Sequence, residues 1–169
     1  MRVRAWLGVA AGAALFTALA SPVFAQGRGG AAAEGVVGYA GFLDDTTIAH
    51  TVWGGSARWY LLPRLAIGPE LIYFRGPRDD RDVVVTGNLT FDFLATAHPV
   101  TPFVVVGGGF FSHRDKFGGA SFTSTEGSFT GGAGVRLSIG RQFYLAPELR
   151  IGWEPHVRIS VAAGWRFDH

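Results

Sequence analysis

From Val157 to Phe167 the chain alternates without a break. The odd positions are apolar (Val157, Ile159, Val161, Ala163, Trp165, Phe167), and the even ones are small or charged (Arg158, Ser160, Ala162, Gly164, Arg166). A period of two marks a strand with two unlike faces. About ten residues is also what a tilted strand needs to cross a bilayer. One face suits hydrocarbon, and the other suits a narrow polar interior.

The same rule predicts eight strands, at 36–43, 49–61, 65–75, 83–95, 102–112, 128–139, 142–153 and 157–167. Three connections are tight or carry proline: Leu62-Pro63-Arg64, Thr96 to Thr101, and Gly140-Arg141. Four are polar: Asp44 to Thr47, Gly76 to Asp82, His113 to Gly127, and Glu154 to His156. Short turns on one side and longer loops on the other are the pattern of an up-and-down transmembrane barrel. An even strand number puts both termini on the short-turn side. The expected fold class is therefore all-β, an eight-stranded antiparallel up-and-down transmembrane β-barrel spanning 36–169.

The N-terminus fits an exported protein. Arg2 and Arg4 precede an apolar, Ala-rich run from Ala5 to Ala20, and Val23-Phe24-Ala25 places small residues as a signal-peptidase site requires. Residues 1–25 are read as a cleaved signal peptide and 26–35 (QGRGGAAAEG) as a flexible periplasmic lead-in. Removing 25 residues from 169 leaves 144, enough for one domain. The leader takes two of the fifteen basic residues, so thirteen remain against thirteen acids. That balance gives no case for a nucleic-acid partner. The chain has no Cys, so disulfides do not hold it. Its one lysine is Lys116, whereas a water-facing surface is normally rich in Lys and Glu.

Alternation alone does not separate a membrane barrel from a soluble lipid carrier; the composition of the polar face does. Here it reads Gly54, Ser56, Arg58; Ala66, Gly68, Glu70; Thr86, Asn88, Thr90, Asp92; and Thr130, Gly132, Gly134, Arg136, Ser138. Small residues with a few charges suit the bore of an eight-stranded barrel, which side chains just fill. The apolar face gathers aromatics toward its two ends. Trp53, Tyr73, Phe111, Phe129 and Trp153 are expected at the outer rim, and Trp59, Phe93, Phe103, Phe143, Trp165 and Phe167 at the periplasmic rim.

Two hairpins repeat one pattern. Gly54 to Arg58 precedes Arg64 and Pro69-Glu70-Leu71; Gly131 to Arg136 precedes Arg141 and Pro147-Glu148-Leu149. Each sets an inward Arg near an inward Glu across a short turn, which predicts the buried pairs Arg58–Glu70 and Arg136–Glu148. Arg150, Arg158 and Asp92 complete a structural interior network, since a buried charge without a partner is costly. The two prolines each remove a ladder hydrogen bond, so a bulge or a late strand start is expected there.

With these features the chain resembles the small eight-stranded outer-membrane barrels of the OmpA and OmpX type. The resemblance covers the leader and about 36–167 in pattern and is architectural. It implies an outer-membrane location, contact with outer-membrane lipids, and recognition by the outer-membrane assembly machinery. Trp165-Arg166-Phe167 stands where that machinery reads an aromatic terminus, although Asp168 and His169 follow it. A monomer is expected.

Little catalytic chemistry is visible. Ser112 beside His113 is the one nucleophile–base candidate, but neighbours on a strand point to opposite faces. The His-x-Ser-Asn pattern of the lipid-deacylating barrels is absent. His50, His98, His113, His156 and His169 lack metal-ligand spacing, and no cofactor is expected. Asp44-Asp45 and Asp79-Asp80-Arg81-Asp82 are acidic loop tips that would suit a divalent cation or a lipid headgroup, but such runs are usually solvated. Gly107-Gly108-Gly109 lies within a strand and gives interior room or a bend. The 113–127 segment, with His113, Arg114, Asp115, Lys116, Phe117 and Phe122, is the candidate recognition loop.

The expected role is a structural or surface-exposed outer-membrane barrel with a plugged interior. A soluble periplasmic lipid carrier and a lipid-modifying barrel enzyme are the alternatives. The folded chain is predicted to migrate faster than the boiled chain on a denaturing gel and to resist protease in membranes. Extraction into buffer without detergent would favour the carrier.

Overall fold

The computed structural model describes residues 30–42, 48–77, 81–94, 98–117, 120–153 and 155–167; of 48, 114–117 and 120–123 it describes the backbone. The leader, Gln26 to Gly29 of the lead-in, Asp44-Asp45, Asp79-Asp80 and Asp168-His169 lie outside the described residues.

Eight strands follow one another: β1 Ala31–Phe42, β2 Ile48–Leu62, β3 Leu65–Arg75, β4 Arg81–Asp92, β5 Val100–Phe117, β6 Ala120–Ile139, β7 Phe143–Gly152 and β8 His156–Phe167. Each pairs antiparallel with the next, and β1 pairs with β8 to close the barrel. The fold is an all-antiparallel, up-and-down, eight-stranded transmembrane barrel. Closure leaves no sheet edge along the paired length, as lipid demands, because hydrocarbon offers backbone groups no hydrogen bonds.

The inward and outward sets follow the sequence alternation. On β8, Arg158, Ser160, Ala162, Gly164 and Arg166 are buried inside, while Ile159 and Trp165 lie outside, at 65% and 48% exposure. Apolar residues this exposed on every strand form a continuous band, which water would not tolerate and lipid requires. The Trp53 and Tyr73 rings meet at a centroid distance of 5.0 Å, tilted by 47°, on adjacent strands near the loop-rich end of this band.

Four expectations need correction. The lead-in ends sooner than 35, because Ala31 to Gly35 pair with both β2 and β8 and carry Glu34 into the bore. The 113–127 segment is not a loop. β5 and β6 pair continuously from Val100↔Leu137 to Phe117↔Ala120, a hairpin longer than any other, with the backbone of Arg114 to Phe117 and of Phe122 inside it. Phe103 and Phe111 do not join the aromatic rims; both are buried in the bore. β5 is apolar on both faces around Phe103-Val104-Val105-Val106, so its alternation carried no sign of which parity turned inward.

The prolines produce no bulge where one was expected. Pairing lapses at Ala57 and Arg58 against Gly68 and Pro69, and again at Val135 and Arg136 against Ala146 and Pro147, but the register on either side is unchanged. The register shift in β2–β3 lies instead at Tyr60/Leu62, next to the turn. A glycine stands in or beside each lapse where an added Cβ would meet a backbone carbonyl: Gly68 within the first, against Ala57, and Gly134 beside the second, against Pro147. A Cβ at Gly68 would overlap the Ala57 carbonyl, while the space around Gly108 is open. Gly68→Val is therefore expected to abolish the fast-migrating folded form on a denaturing gel, and Gly108→Val to retain it.

Candidate functional site: the interior of the barrel

Inward parity delivers every charge in the bore, and closure brings distant strands together there. Among the described residues, Glu34, Glu70, Asp92 and Glu148 meet Arg58, Arg136, Arg150, Arg158 and Arg166, all buried or nearly so. They form two layers, and aromatic rings fill a third.

At mid-height lies a four-membered ring. Arg158 from β8 grips Glu70 on β3 with two bonds, Nη1–Oε1 at 2.9 Å and Nη2–Oε2 at 3.2 Å, and reaches Glu148 at 3.1 Å. Arg150 donates through Nε to Glu148 at 2.5 Å and approaches Glu70 at 3.0 Å. Its Nη1 also donates to Asn88 at 3.2 Å. Each carboxylate thus meets two guanidinium groups, and the fork of Arg matches both oxygens of Glu70. The ring crosses the bore, because β3 and β8 are not neighbours.

Toward the short-turn end, Glu34 accepts from Arg58 Nη2 at 3.1 Å, from the Tyr144 hydroxyl at 2.7 Å and from the Ser56 hydroxyl. Arg136 donates to Asp92 at 2.7 Å with both side chains fully shielded, and the Tyr60 hydroxyl donates to the same Asp92 oxygen at 3.1 Å. Phe103 lies between two cations, with Arg58 at 5.2 Å and Arg136 at 5.0 Å from its ring centre. Arg166 lies 4.7 Å from the Tyr144 ring and donates to Ser138. Aromatic faces attract cations most strongly where water is excluded.

At the loop-rich end the filling changes to rings. Phe42 contacts His50, Phe74, Phe111 and His156 at centroid distances from 4.8 to 6.1 Å. Asp82 sits beside them, 2.5 Å from His113 Nδ1 and 4.0 Å from His50 Nε2. Among the described residues no group of His, Asp and Glu has the geometry to hold a metal ion.

All seven predicted network residues meet inside the barrel, but not in the predicted pairs. Arg58 bonds Glu34 instead of Glu70, and Arg136 bonds Asp92 instead of Glu148. The ladder lapses beside each Arg at Pro69 and Pro147, and each side chain leaves its own hairpin: Arg58 turns to the neighbouring β1, and Arg136 reaches past β5 to β4. Glu34 was missed because it stood in a stretch read as lead-in, although Ala32-Glu34-Val36 already carried the inward parity. Tyr60, Tyr144 and Arg166 were missed as partners because nothing local marks a cross-barrel contact. Ser112 and His113 diverge. Ser112 meets Thr125 at 3.4 Å, while His113 meets Asp82. Gly107 and Gly109 clear room inside, where a Cβ would strike Asn88 and the Val85 carbonyl.

A cavity beside Ser56, Arg58, Asn88, Thr90 and Arg150 measures about 10 Å³, enough for one water.

The sequence matches no protein-family profile and no curated protein. Solved structures do match its fold. The N-terminal barrel domain of Pseudomonas aeruginosa OprF aligns with a TM-score of 0.66 at 12% identity, covering 83% of this chain and all of that one. Neisserial surface protein A aligns at 0.68 and 14% identity, over 82% of this chain and 97% of its own. The attachment invasion locus protein Ail of Yersinia pestis aligns at 0.55 and 14% identity, with the same coverage. The fold is that of the small eight-stranded outer-membrane barrels.

Breaking one member of a buried pair strands its partner at a cost of ~3–5 kcal/mol. Asp92→Asn is expected to destabilise by about that much, measured by urea unfolding in vesicles. Asp92→Asn with Arg136→Met is expected to recover most of the loss.

Proposed function

We propose that this chain is an outer-membrane protein with a closed, non-conducting bore, and that its role is structural: a rigid cylinder carrying the long β5–β6 hairpin at the cell surface. The observation that carries the reading is the Glu70–Glu148–Arg150–Arg158 ring. It spans the bore at mid-height with every charge bonded to two partners. An ion crossing the barrel would have to part these contacts in a poorly hydrated space, at a cost of several kcal/mol.

The placement of apolar surface supports the membrane over the soluble carrier. A carrier keeps an apolar cavity inside and polar residues outside; here an ionic network occupies the bore at mid-height and toward the short turns, and the exposed band is aliphatic and aromatic. The fold shared with outer-membrane barrels supports the same location. The leader accounts for export, and Trp165-Arg166-Phe167 at the end of β8 serves the assembly machinery. The divergence of Ser112 and His113 weighs against a nucleophile–base site, and so against the lipid-modifying alternative.

Reconstituted in a planar bilayer, the wild-type barrel is expected to give no sustained current above the bare membrane. A steady open-pore current would overturn the plugged reading.

A further inference from the structure

β6 outruns its neighbour β7. The two pair from Thr130↔Gly152 onward, and the Trp153 N–H donates to the Phe129 carbonyl at 2.7 Å. β7 ends at Gly152, and β8 begins at His156. From Ala120 to Phe129, β6 is paired among the described residues on one side only, with Gly108 to Phe117 of β5. At the rise of a strand this is roughly 30 Å of open edge. β4 backs β5 as far as Arg114, which pairs with Thr123. From Thr123 to Phe129 the edge therefore belongs to a sheet and not to a lone hairpin. Ser124, Thr125, Glu126 and Gly127 are all exposed.

The direction of the backbone groups along this edge is fixed. In an antiparallel strand one residue turns its N–H and C=O to one side, and the next turns both to the other. The Phe129 carbonyl faces β7, so Thr123, Thr125 and Gly127 turn theirs to the open side. The Thr125 hydroxyl donates to Ser112 Oγ at 3.4 Å, as the close side chains of a pair without backbone bonds allow. Sheet edges are commonly blunted by lysine, proline or a bulge. Ser121 to Phe129 contains no lysine or proline, and the β5–β6 register runs through it without a shift. Its single charge is Glu126, whose contact among the described residues is the Ser124 hydroxyl at 3.3 Å.

We propose that the open edge of β6 from Thr123 to Phe129 is a docking site for an extended segment of another protein, which adds as a strand beside β6 and sets a basic residue opposite Glu126. Strand addition draws its affinity from main-chain hydrogen bonds, and opposite charges on facing strands attract. A second copy of this chain does not fit. Two barrels in one membrane stand the same way up, and their tilted β6 strands would cross instead of running side by side. The inference rests on the surface-exposed reading above and gives its hairpin a class of partner.

The test uses the full barrel in lipid nanodiscs and a nonapeptide of alternating threonine and valine with lysine at its centre. Amide hydrogen exchange is followed residue by residue. In the free barrel, Thr123, Thr125 and Gly127 are expected to exchange faster than Ser124, Glu126 and Ser128. The peptide is expected to slow the first three, and a peptide with glutamate in place of its lysine to do so less. T125P removes one edge N–H and leaves the β5 ladder intact. It is expected to keep the fast-migrating folded form and to weaken peptide binding about fivefold, the worth of one hydrogen bond. No slowing of the three amides at millimolar peptide overturns the proposal, as does equal binding by T125P. Protection of the three amides in the free barrel that grows with barrel concentration assigns the edge to a second copy and overturns it too. A barrel that stays out of the nanodiscs overturns the membrane reading instead.

Discussion

The structure depends on neutralising charge inside a closed cylinder. Eight strands leave a bore that side chains can just fill, and this chain fills it with guanidinium and carboxylate groups. Neither sign is tolerable there alone. Together they form contacts that join strands with no hydrogen bonds between them: β8 to β3 through Arg158 and Glu70, β6 to β4 through Arg136 and Asp92, and β7 to β1 through Tyr144 and Glu34. The ladder closes the wall, and these contacts brace it from within. Such clusters are weak evidence of net stability, since removing charges from water is costly. Their clear consequence is specificity: a one-residue slip in register would turn every charge toward lipid.

The repeated hairpins show how local irregularity serves that interior. β2–β3 and β6–β7 lie on opposite sides of the barrel, and each interrupts its ladder beside a proline. In both, the freed stretch carries an arginine, Arg58 or Arg136, whose side chain leaves its own hairpin. The two cations converge on the faces of Phe103. The pattern matches the internal sequence repeat, yet the partners are not repeated. Arg58 takes a carboxylate from the neighbouring β1, and Arg136 takes one from β4, two strands away.

Much of this was legible in the residues, and the reason is period two. Where one face was apolar and the other small or charged, as in Val157 to Phe167 or Thr86 to Asp92, alternation alone assigned each side chain to lipid or bore. It failed where both faces looked alike. Phe103 and Phe111 on β5 read as rim aromatics and are core residues. It also failed where composition imitated a linker: Ala31 to Gly35 are too small to look like a strand, and Glu34 went unnoticed with them. The segment from His113 to Gly127 is rich in Gly, Ser and Thr and reads as a loop. It forms strands because the hairpin ladder carries on beyond the barrel rim.

On the strands with one apolar and one small or charged face, the sequence by itself determined which side chains meet hydrocarbon and which meet the bore, because in a strand that choice is made residue by residue, from the polarity of near neighbours. It also determined that the interior charges must be paired, because a buried charge without a partner is costly. Only the tertiary structure decided which carboxylate each arginine meets, and that Glu34 on β1 is one of them. Those facts depend on strand register and on distances across the bore, which arise when β1 meets β8 and the sheet becomes a barrel.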